Sequence, residues 1–589
     1  IFNEFSSGTP DASAYRRYLK MLYDRASSTA DAPRYLLLFG NCTFDNRMLT
    51  TEWKKQSPND YLLAYERRAT ENDSGSYGIG SLNDYVTDDY YALLDDGEGA
   101  NITYEKIDLG IGRFLCTTEQ EARVLVDKTA NYLINRTPGT WQNHMWAIGD
   151  VGDNNLHMQD AESVCQQVKT SANDAFMLRR IFPDAYEATY EAKGITFPEA
   201  TSRIVRAMQT GALIFNYNGH GSPDRLSNSF LLEKSAFANN KSKTLPLWIL
   251  ASCEITPFDQ DRNDIGRNAL FNTEGGALGV ICASRSVFAN YNRSLNKGVI
   301  KYLFAKNENG KRNAIGDALR KTKVELIGGY GNTIGYDTSR NKMKYAYLGD
   351  PAVILAYANK GVYIDSINGQ NANTATTTNI PVGGKVSFSG YVNADEASQT
   401  PDANYNGTLY ATLFAPQQHI VCKGYGNESS TKDYEYNDYT QTLFEGKVKV
   451  TAGRFTIETV IPRGTTLSPS KCLLSLYTEH DSTTAHYNGQ FSNFCINSST
   501  QPTETDTLGP KVYLYIGTPD FPDGGTVGTG ATLYASVADS TGISMMTGNL
   551  GHDMELWFDG RRDQSIIVND YFTFDYGSYT QGILQYPLS

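Results

Sequence analysis

A histidine and a cysteine each follow a strongly apolar run of this sequence. Residues 212–216 lead into Tyr217-Asn218-Gly219-His220-Gly221-Ser222, and Leu247–Ala251 leads into Ser252-Cys253-Glu254. A thiol becomes a strong nucleophile only as thiolate, and an imidazole can promote that form and then protonate a leaving amine. We therefore predict that Cys253 is the nucleophile and His220 the acid–base group of an acyl-transfer reaction.

The two apolar runs are predicted to be neighbouring buried strands of a parallel sheet, since both are almost continuously apolar. Open α/β sheets bind their ligands at the carboxyl ends of the strands. Adjacent parallel strands would therefore bring His220 and Cys253 together at that edge.

Further residues complete the predicted site. Because Gly221 has no Cβ, a substrate carbonyl could approach its backbone N–H, which with the N–H of Cys253 would form an oxyanion hole. The apolar run 146–149 ends in Asp150-Val151-Gly152-Asp153, again at a carboxyl edge. Asp150 is expected to hold His220 in its useful tautomer, with Asp153 as the alternative.

The first 360 or so residues alternate apolar runs with helical stretches, which predicts two parallel sheets covered by helices, with a break near residues 136–139. The segment Glu119–Leu133 is predicted to be a helix with one apolar face formed by Ala122, Val126, Thr129 and Leu133. The predicted strands are Tyr35–Phe39 and 107–111 in the first sheet, and 146–149, 212–216, Leu247–Ala251 and 277–281 in the second.

After Pro351 the helical periodicity gives way to short alternating runs such as 385–389, which predicts β structure. The predicted fold class is thus α/β plus all-β. The predicted last strand, 583–586, would lie at a sheet edge without partners, so the last domain is expected to be truncated. The predicted domains are 1–136 and 137–358, two subdomains of the α/β region; 359–500, an Ig-like β-sandwich; and 508–589, a second β domain after a linker at 497–506.

Composition excludes some classes of protein. A net charge of −13 over 589 residues argues against nucleic-acid binding, which needs a basic face. No apolar run approaches the roughly eighteen residues of a membrane helix. The first residues lack the features of a signal peptide and the chain does not begin with Met, so we expect an internal fragment. The eight cysteines include no close-spaced pair, which indicates neither a disulfide scaffold nor a zinc site.

The site segments together resemble the caspase and gingipain superfamily of cysteine peptidases, in which one buried strand ends in His-Gly and another in Ala-Cys. The local detail is similar to gingipains: residues 216–222 resemble their histidine segment, Tyr347-Leu348-Gly349-Asp350-Pro351-Ala352 the end of that domain, and Gly110-Ile111-Gly112-Arg113 the end of the preceding subdomain. Ser252 stands where the family usually has Ala. The resemblance covers about residues 30–358 and implies a caspase-like α/β catalytic region, but it does not carry over the specificity for basic residues.

Flanking segments are similar to the sortases of type IX secretion systems: Glu4-Phe5-Ser6-Ser7-Gly8, Asp523-Gly524-Gly525 and Gly551-His552-Asp553. The resemblance implies a cell-surface enzyme that cuts the C-terminal sorting domain from secreted cargo and transfers the cargo to an amine of anionic lipopolysaccharide. It also implies an anchoring partner, an outer-membrane β-barrel. The alternative is a catalytically silent scaffold or adhesion protein with the same fold.

The remaining candidate residues have structural interpretations. Cys282 follows a strand as Cys253 does but lacks a histidine partner, and Cys42, Cys116 and Cys165 are expected in the core. Two of Cys422, Cys472 and Cys495 could pair if oxidised. His144, His157, His419, His480, His486 and His552 are expected to be structural, because their spacing shows no metal-binding pattern on a predicted helix.

No cofactor is expected to be required. The resemblance to gingipains implies a structural calcium ion, for which Asp259–Asp264 or residues 153–155 are the candidates. Residues 259–264 do not form an EF-hand, since the sixth position is Asp rather than Gly and the twelfth is Leu270 rather than Glu. A solvated acidic loop is favoured over a calcium site at these positions.

Overall fold

The chain divides into two units of different architecture. The computed structural model describes residues 1–67, 84–134, 137–172, 175–306, 310–328, 334–337, 339–395, 398–499, 508–528, 530–546 and 553–588. The first unit contains Ile1–Asn173, Leu178–Tyr357 and Val421–Glu435, and the second contains Asp174–Met177, Ala358–Ile420 and Tyr436–Ser589. The segment Val421–Glu435 therefore belongs to the first unit, although its neighbours in sequence belong to the second.

An eight-stranded sheet lies at the centre of the first unit. Its strands stand in the order β1-β2-β8-β7-β6-β5-β3-β4. The pairs β5–β6, β5–β3 and β6–β7 are parallel, whereas β7–β8 is antiparallel. The strands are β1 (Tyr35–Phe39), β2 (Gly110–Phe114), β3 (His144–Gly149), β4 (Met177–Ile181), β5 (Ile214–Asn218), β6 (Leu247–Ala251), β7 (Gly279–Ala283) and β8 (Tyr345–Leu348).

The expectation of two separate sheets is wrong, because strands assigned to both lie in this one sheet. The strand β8 joins them: Leu348 pairs with Arg113 of β2 on one side and with Val280 of β7 on the other. β8 follows β7 by about 60 residues, and its position between β2 and β7 was not predicted. Such a non-local pairing leaves no local pattern to predict it.

Strand positions agree with prediction for β1 and β6, whereas β5 and β7 begin two residues later than predicted. Ala212 and Leu213, just before β5, are fully buried without being part of the strand. Apolar character records burial, so it does not mark the first hydrogen-bonded residue.

The helix predicted at Glu119–Leu133 has the predicted ends, and its first turn is closed by a capping box between Thr118 and Glu121. Its predicted apolar face is confirmed for the buried Thr129 and for Ala122, which packs against the core, but it is wrong for the exposed Val126 and Leu133. Leu125 and Tyr132 are buried instead. The helices of the described residues are α1 (Phe2–Phe5), α2 (Ser13–Asp24), α3 (Glu119–Leu133), α4 (Leu156–Ser171), α5 (Pro198–Thr210), α6 (Lys234–Asn239), α7 (Ile265–Phe271), α8 (Ala289–Phe304) and α9 (Ile315–Leu326).

Aromatic packing supports the register between β5 and β6. Phe215 stands opposite Trp248, and the two rings stack at 4.5 Å between centroids. Phe237 of α6 packs edge-on against Trp248 at 5.0 Å. Such aromatic pairs add about 0.5–1.5 kcal/mol beyond area burial, and this pair aligns the two strands that carry His220 and Cys253.

The first unit also contains four short two-stranded ladders among its described residues. The pair of strands after β4, the pair after β5, and the pair of Glu66–Arg67 with Tyr85–Val86 are antiparallel. The pair after β1 is parallel. The strands are Cys42–Thr43, Leu62–Leu63, Glu66–Arg67, Tyr85–Val86, Thr189–Glu191, Gly194–Thr196, Arg225–Leu226 and Leu232–Glu233.

The second unit is all-β, so the predicted fold class is confirmed. Inward-facing residues of its two larger sheets, such as Leu409 and Phe388, share one hydrophobic cluster. The five-stranded sheet contains Asn359–Lys360, His486–Phe491, Leu473–His480, Gly407–Phe414 and Thr442–Val450; the four-stranded sheet Gln370–Asn371, Val362–Ile367, Lys385–Val392 and Arg454–Val460; and a three-stranded sheet Thr378–Val382, Phe494–Ser499 and Ser468–Lys471. Paired short strands are Gln418–Val421 with Glu435–Asp438 and Glu555–Leu556 with Ile566–Ile567.

A further sheet of the second unit contains Lys511–Ile516, Thr532–Ala538, Gln581–Pro587 and Phe572–Phe574, in that order. The last strand pairs on both sides, so the expectation that it lacks partners is wrong. Phe574 stacks on Phe444 of the five-stranded sheet at 5.1 Å. Most of the predicted linker, from residue 500 on, and His552 lie outside the described residues.

Candidate active site

His220 and Cys253 occupy equivalent positions beyond two paired strands. Asn218, the last residue of β5, pairs with Ala251, the last residue of β6, and each chemical residue follows two positions later. The N–H of Gly219 still donates to the carbonyl of Ala251 at 3.4 Å. Because neighbouring strands lie about 4.8 Å apart, the chain positions of His220 and Cys253 follow the sheet at the same carboxyl edge.

A tight turn after β6 presents the Cys253 thiol. The N–H of Ser252 donates to the carbonyl of Leu250 at 2.9 Å, and Glu254 has a left-handed backbone with φ of 46°. All eight cysteines lie in the described residues; Cys253 is partly exposed and the other seven are buried. Burial raises the pKa of Cys282 to about 12, so that thiol stays protonated. Cys253 is therefore the accessible thiol of this edge.

A backbone N–H and an ammonium group lie near the Cys253 sulfur. The backbone N–H of Val287 points at Sγ at 3.5 Å, and Sγ lies 3.4 Å from the Val287 carbonyl. Next to it, the buried Lys344 ammonium donates to the Ser286 carbonyl at 2.7 Å. Burial lowers the pKa of Lys344 to about 8, while attraction to the Cys253 thiolate opposes that shift.

Gly221, the predicted oxyanion donor, is packed closely against the cysteine turn. A Cβ at this position would lie 2.5 Å from Ser252 Oγ and 2.7 Å from Ile255 Cδ1. Glycine is thus needed to bring the two loops together. The Ser252 side chain, present where the related family has Ala, is fully buried, and within the described part of the chain its hydroxyl has no hydrogen-bond partner.

The carboxylate bonded to the His220 ring is Asp153. His220 Nε2 lies 2.7 Å from Asp153 Oδ2. With Nε2–H donating to this carboxylate, the neutral ring carries its lone pair on Nδ1, the nitrogen left to accept a thiol proton. Partial burial favours the neutral carboxyl, but the bonds from His220 and His157 outweigh it and hold the pKa of Asp153 below its usual value.

Asp150, which was predicted to orient the His220 ring, contacts the backbone of His220 rather than its ring. Its Oδ2 accepts from the His220 N–H at 3.1 Å and from the Tyr217 hydroxyl at 3.1 Å. The Tyr217 hydroxyl also lies 2.6 Å from the His220 carbonyl. Its single proton can be donated to the carboxylate or to this carbonyl. Asp150 is fully buried, and burial raises its pKa. Asp150 therefore positions the histidine loop, whereas Asp153 orients the ring.

Residues 1–356 match the family model of peptidase family C25. The chain belongs to this family of cysteine peptidases. The match covers more than half of the 589 residues and confirms the resemblance to gingipains. None of the curated proteins matches the chain.

Three solved structures are similar to this C25 chain. Dimeric latent PorU from Porphyromonas gingivalis is 22% identical, with a TM-score of 0.34. The Arg-specific cysteine proteinase gingipain R (RgpB) is 15% identical over 84% of this chain and 90% of its own, with a TM-score of 0.44. The complex of Porphyromonas gingivalis RgpB pro- and mature domains is 14% identical over 84% and 92%, with a TM-score of 0.43. The match to PorU covers 100% of this chain but 48% of the PorU chain.

His157 belongs to this C25 site, although sequence analysis assigned it a structural role. Its Nε2 lies 3.1 Å from Asp153 Oδ2, the oxygen that also bonds His220, and the two imidazole centroids are 5.1 Å apart. His157 stands in the first turn of α4 and is buried. The spacing of Asp153 and His157, four residues, was the available signal. It was missed because no helix was predicted there.

The backbone that carries Asp153 is unusual. Asp153, Asn154 and Asn155 all have left-handed conformations, with φ of 47°, 55° and 70°. Asn and Asp tolerate this region better than other non-glycine residues, yet such positions cost about 1–3 kcal/mol each unless their surroundings enforce them. The loop therefore needs external contacts to keep Asp153 aimed at His220.

The segment Val421–Glu435 supplies those contacts. Asn154 Oδ1 accepts from the Glu428 N–H at 3.1 Å and from the Thr431 hydroxyl at 2.7 Å. Asn155 accepts from the Asn427 amide at 2.6 Å and donates to the Lys432 carbonyl at 2.8 Å. Residues about 270 positions away in sequence thus hold the loop of the ring-bonded carboxylate.

The same segment is anchored at a second point. The Asp184 carboxylate accepts from the N–H groups of Gly424 and Tyr425 at 2.9 and 2.8 Å. Lys423 forms an ion pair with Glu187. These contacts fix one end of the segment while its other end holds Asn154 and Asn155.

The carboxylates of the proposed calcium loop at 259–264 have arginine partners. The buried Asp259 forms a bidentate pair with Arg285 at 2.8 and 2.5 Å. Asp264 caps α7 by accepting from the Arg267 N–H at 2.9 Å and pairs with its guanidinium. These two carboxylates therefore pair with arginines and stabilise the segment that follows Cys253.

Proposed function

We propose that this chain is a cell-surface cysteine endopeptidase and sortase that releases the C-terminal sorting domain of type IX secretion cargo and transfers the cargo to a lipopolysaccharide amine. Membership in peptidase family C25 supports cysteine-peptidase chemistry. The observation that carries the proposal is the His220–Asp153 bond of 2.7 Å at the edge where β6 presents Cys253. A nucleophile, a base and an orienting carboxylate thereby share one sheet edge.

The first half of the reaction forms a thioester. Nδ1 of His220 takes the proton of the Cys253 thiol, and the thiolate attacks the scissile carbonyl. The tetrahedral oxyanion is stabilised by backbone N–H groups, for which Gly221 and Cys253 are the proposed donors. The C–N bond then breaks, and His220 gives its proton to the leaving amine of the sorting domain.

The second half releases the cargo. An amine or water enters at the thioester carbonyl while Nδ1 of His220 accepts its proton, and the C–S bond breaks to regenerate the Cys253 thiol after proton return. Asp153 stabilises the imidazolium that forms in both halves, since it is ionised at neutral pH. Transfer to an amine gives an amide, whereas water gives a free carboxylate.

The sorting part of the proposal is supported by the similarity of Glu4–Gly8 and 523–525 to type IX sortases. Its partners would be cargo with C-terminal sorting domains, anionic lipopolysaccharide as acceptor and an outer-membrane β-barrel as anchor. In the described part of the chain, no helix has the length and apolar character needed to cross a bilayer. No cofactor is required by these steps, and a structural calcium ion remains part of the proposal.

The experiment compares the wild-type protein with Cys253→Ala on purified cargo carrying its sorting domain. We expect cleavage by the wild type only, and mass spectrometry of the new cargo terminus should find an amide-linked amine when an amine acceptor is present. Cys282→Ala is the matched cysteine control and should still cleave. Undiminished cleavage by Cys253→Ala would instead support the silent scaffold, and free carboxylates alone would reduce the sortase to a hydrolase.

A further inference from the structure

Three metal-binding side chains converge beside the Cys253 turn. Both His220 Nε2 and His157 Nε2 face the same oxygen of Asp153, at 2.7 and 3.1 Å, and the three donor atoms all lie within 4.8 Å of one another. Two imidazole nitrogens and one carboxylate oxygen, with a fourth position open, form the donor set of three-ligand zinc sites.

We propose that Asp153, His157 and His220 bind Zn²⁺ and that the bound ion reversibly inhibits the enzyme. The inhibitory part rests on the proposed peptidase function, whereas the binding itself does not. His157 has no part in the acyl-transfer steps, so metal binding gives this buried histidine a role of its own.

The spacing of the three donors suits a small cation. Zinc–nitrogen and zinc–oxygen bonds of about 2.0–2.2 Å place tetrahedral ligand atoms about 3.3 Å apart. The two separations from Asp153 Oδ2, 2.7 and 3.1 Å, must widen by about 0.6 and 0.2 Å to reach this spacing, and the two imidazole nitrogens lie within 4.8 Å of each other. The ion would replace the two N–H···O hydrogen bonds.

Exposure gives the ion a route from solvent. The side chains of His220 and Asp153 are 44% and 47% exposed, whereas that of His157 is 7% exposed. His157 therefore forms the inner wall of the site, and the other two ligands form its rim. The left-handed loop held by Asn154 and Asn155 keeps the rim carboxylate in place.

The donor types select the cation. Imidazole donors favour zinc and its first-row neighbours, whereas calcium and magnesium prefer oxygen donors alone. The site is therefore distinct from a structural calcium site.

Binding would stop catalysis through the tautomer of His220. When Nε2 donates its lone pair to Zn²⁺, the ring proton moves to Nδ1, the nitrogen that must accept the thiol proton. No proton need leave the protein, and no bond in the substrate is made or broken. Removal of the ion returns the ring to the active tautomer.

The binding test uses tag-free Cys253→Ala protein and Zn²⁺ alone, in competition with a chromophoric zinc chelator. We expect one equivalent of tightly held Zn²⁺, and a Co²⁺ titration should give the visible absorption of a four- or five-coordinate site. His157→Ala in this background should bind Zn²⁺ at least about tenfold more weakly, since even indirect support of a metal ligand is worth about 10–100-fold. His419→Ala, in the second unit, is the matched histidine control and should bind as the parent does.

The activity test measures, for each variant, the ratio of rates with and without Zn²⁺, followed by addition of a chelator. We expect reversible inhibition of the wild type and at least about tenfold higher Zn²⁺ for half-inhibition of His157→Ala. Equal Zn²⁺ affinity in His157→Ala and its parent would place the ion outside the three proposed ligands, and loss of binding on Cys253→Ala alone would place it on the thiol; either result would overturn the proposal. If the protein proves inactive on every cargo, the binding test still decides the metal site, so the two proposals fail separately.

Discussion

His220 Nε2 lies 2.7 Å from Asp153 Oδ2, whereas Asp150, three residues earlier, accepts a hydrogen bond from the backbone N–H of His220 at 3.1 Å. The two carboxylates therefore have separate tasks: one orients the imidazole and the other fixes the loop that carries it. Substitutions at the two positions should have different consequences.

Asp153→Asn should lower kcat by about 10²- to 10⁴-fold while leaving the fold intact, because an amide cannot stabilise the imidazolium and can enforce the wrong tautomer. The measurement is kcat and KM on a cargo peptide together with a thermal unfolding curve. An activity within threefold of wild type would remove Asp153 from the mechanism.

Asp150→Asn should act mainly on stability. The buried carboxylate accepts from Val151, Tyr217 and His220, and the amide replaces one acceptor oxygen by a donor, which leaves buried N–H groups unsatisfied. We expect a loss of about 1–3 kcal/mol in the free energy of unfolding, measured by urea denaturation. A large fall in kcat at unchanged stability would contradict this division of roles.

Asn154→Ala should reduce kcat with little change in KM. The substitution removes the acceptor for Glu428 and Thr431, which frees the strained loop and misplaces Asp153, and displacements of about 1 Å can cost on the order of 10²-fold in rate. Asn154→Asp keeps the acceptor oxygen and should restore most of the activity.

A matched control for this effect is Lys423→Ala, which changes the same segment at its ion pair with Glu187. An exposed pair of this kind is worth little, so its kcat should stay near that of the wild type. Equal losses in both variants would mean that Asn154 acts through general stability.

Ser252→Ala should stabilise the protein by about 1 kcal/mol, because it removes a fully buried hydroxyl that has no hydrogen-bond partner among the described residues. A Cβ built on Gly221 would lie 2.5 Å from Ser252 Oγ, so the loss of this oxygen gives the Gly221 backbone more room. Urea unfolding of the variant provides the measurement, and a decrease in stability would point to an unseen partner for the hydroxyl.

Lys344 makes stability depend on pH in the alkaline range. Its pKa is about 8 in the folded protein and about 10.4 in the unfolded chain. Between these values the unfolded chain binds more protons, so the free energy of unfolding contributed by this group rises with pH, by on the order of 3 kcal/mol. Lys344→Met should lack this rise when urea unfolding is compared at pH 7.5, 9 and 10; parallel profiles would contradict it.

The sequence by itself located the carboxyl ends of β3 and β6, and that of β5 within two residues. Glycines flanking His220 and an apolar run before Cys253 are local patterns, and the chirality of α/β sheets sends the carboxyl ends of parallel strands to one edge. The adjacent placement of the two residues follows from these patterns, and the register of Asn218 with Ala251 agrees with it.

Tertiary structure decided which carboxylate meets the imidazole. Asp150 and Asp153 follow the end of β3 by one and four residues, and the choice between them depends on a left-handed loop at 153–155 whose asparagines are hydrogen-bonded by Val421–Glu435. It also depended on α4, whose first turn brings His157 to the same oxygen. Contacts between residues about 270 positions apart leave no pattern in the local sequence, because they form only after the fold has brought the two segments together.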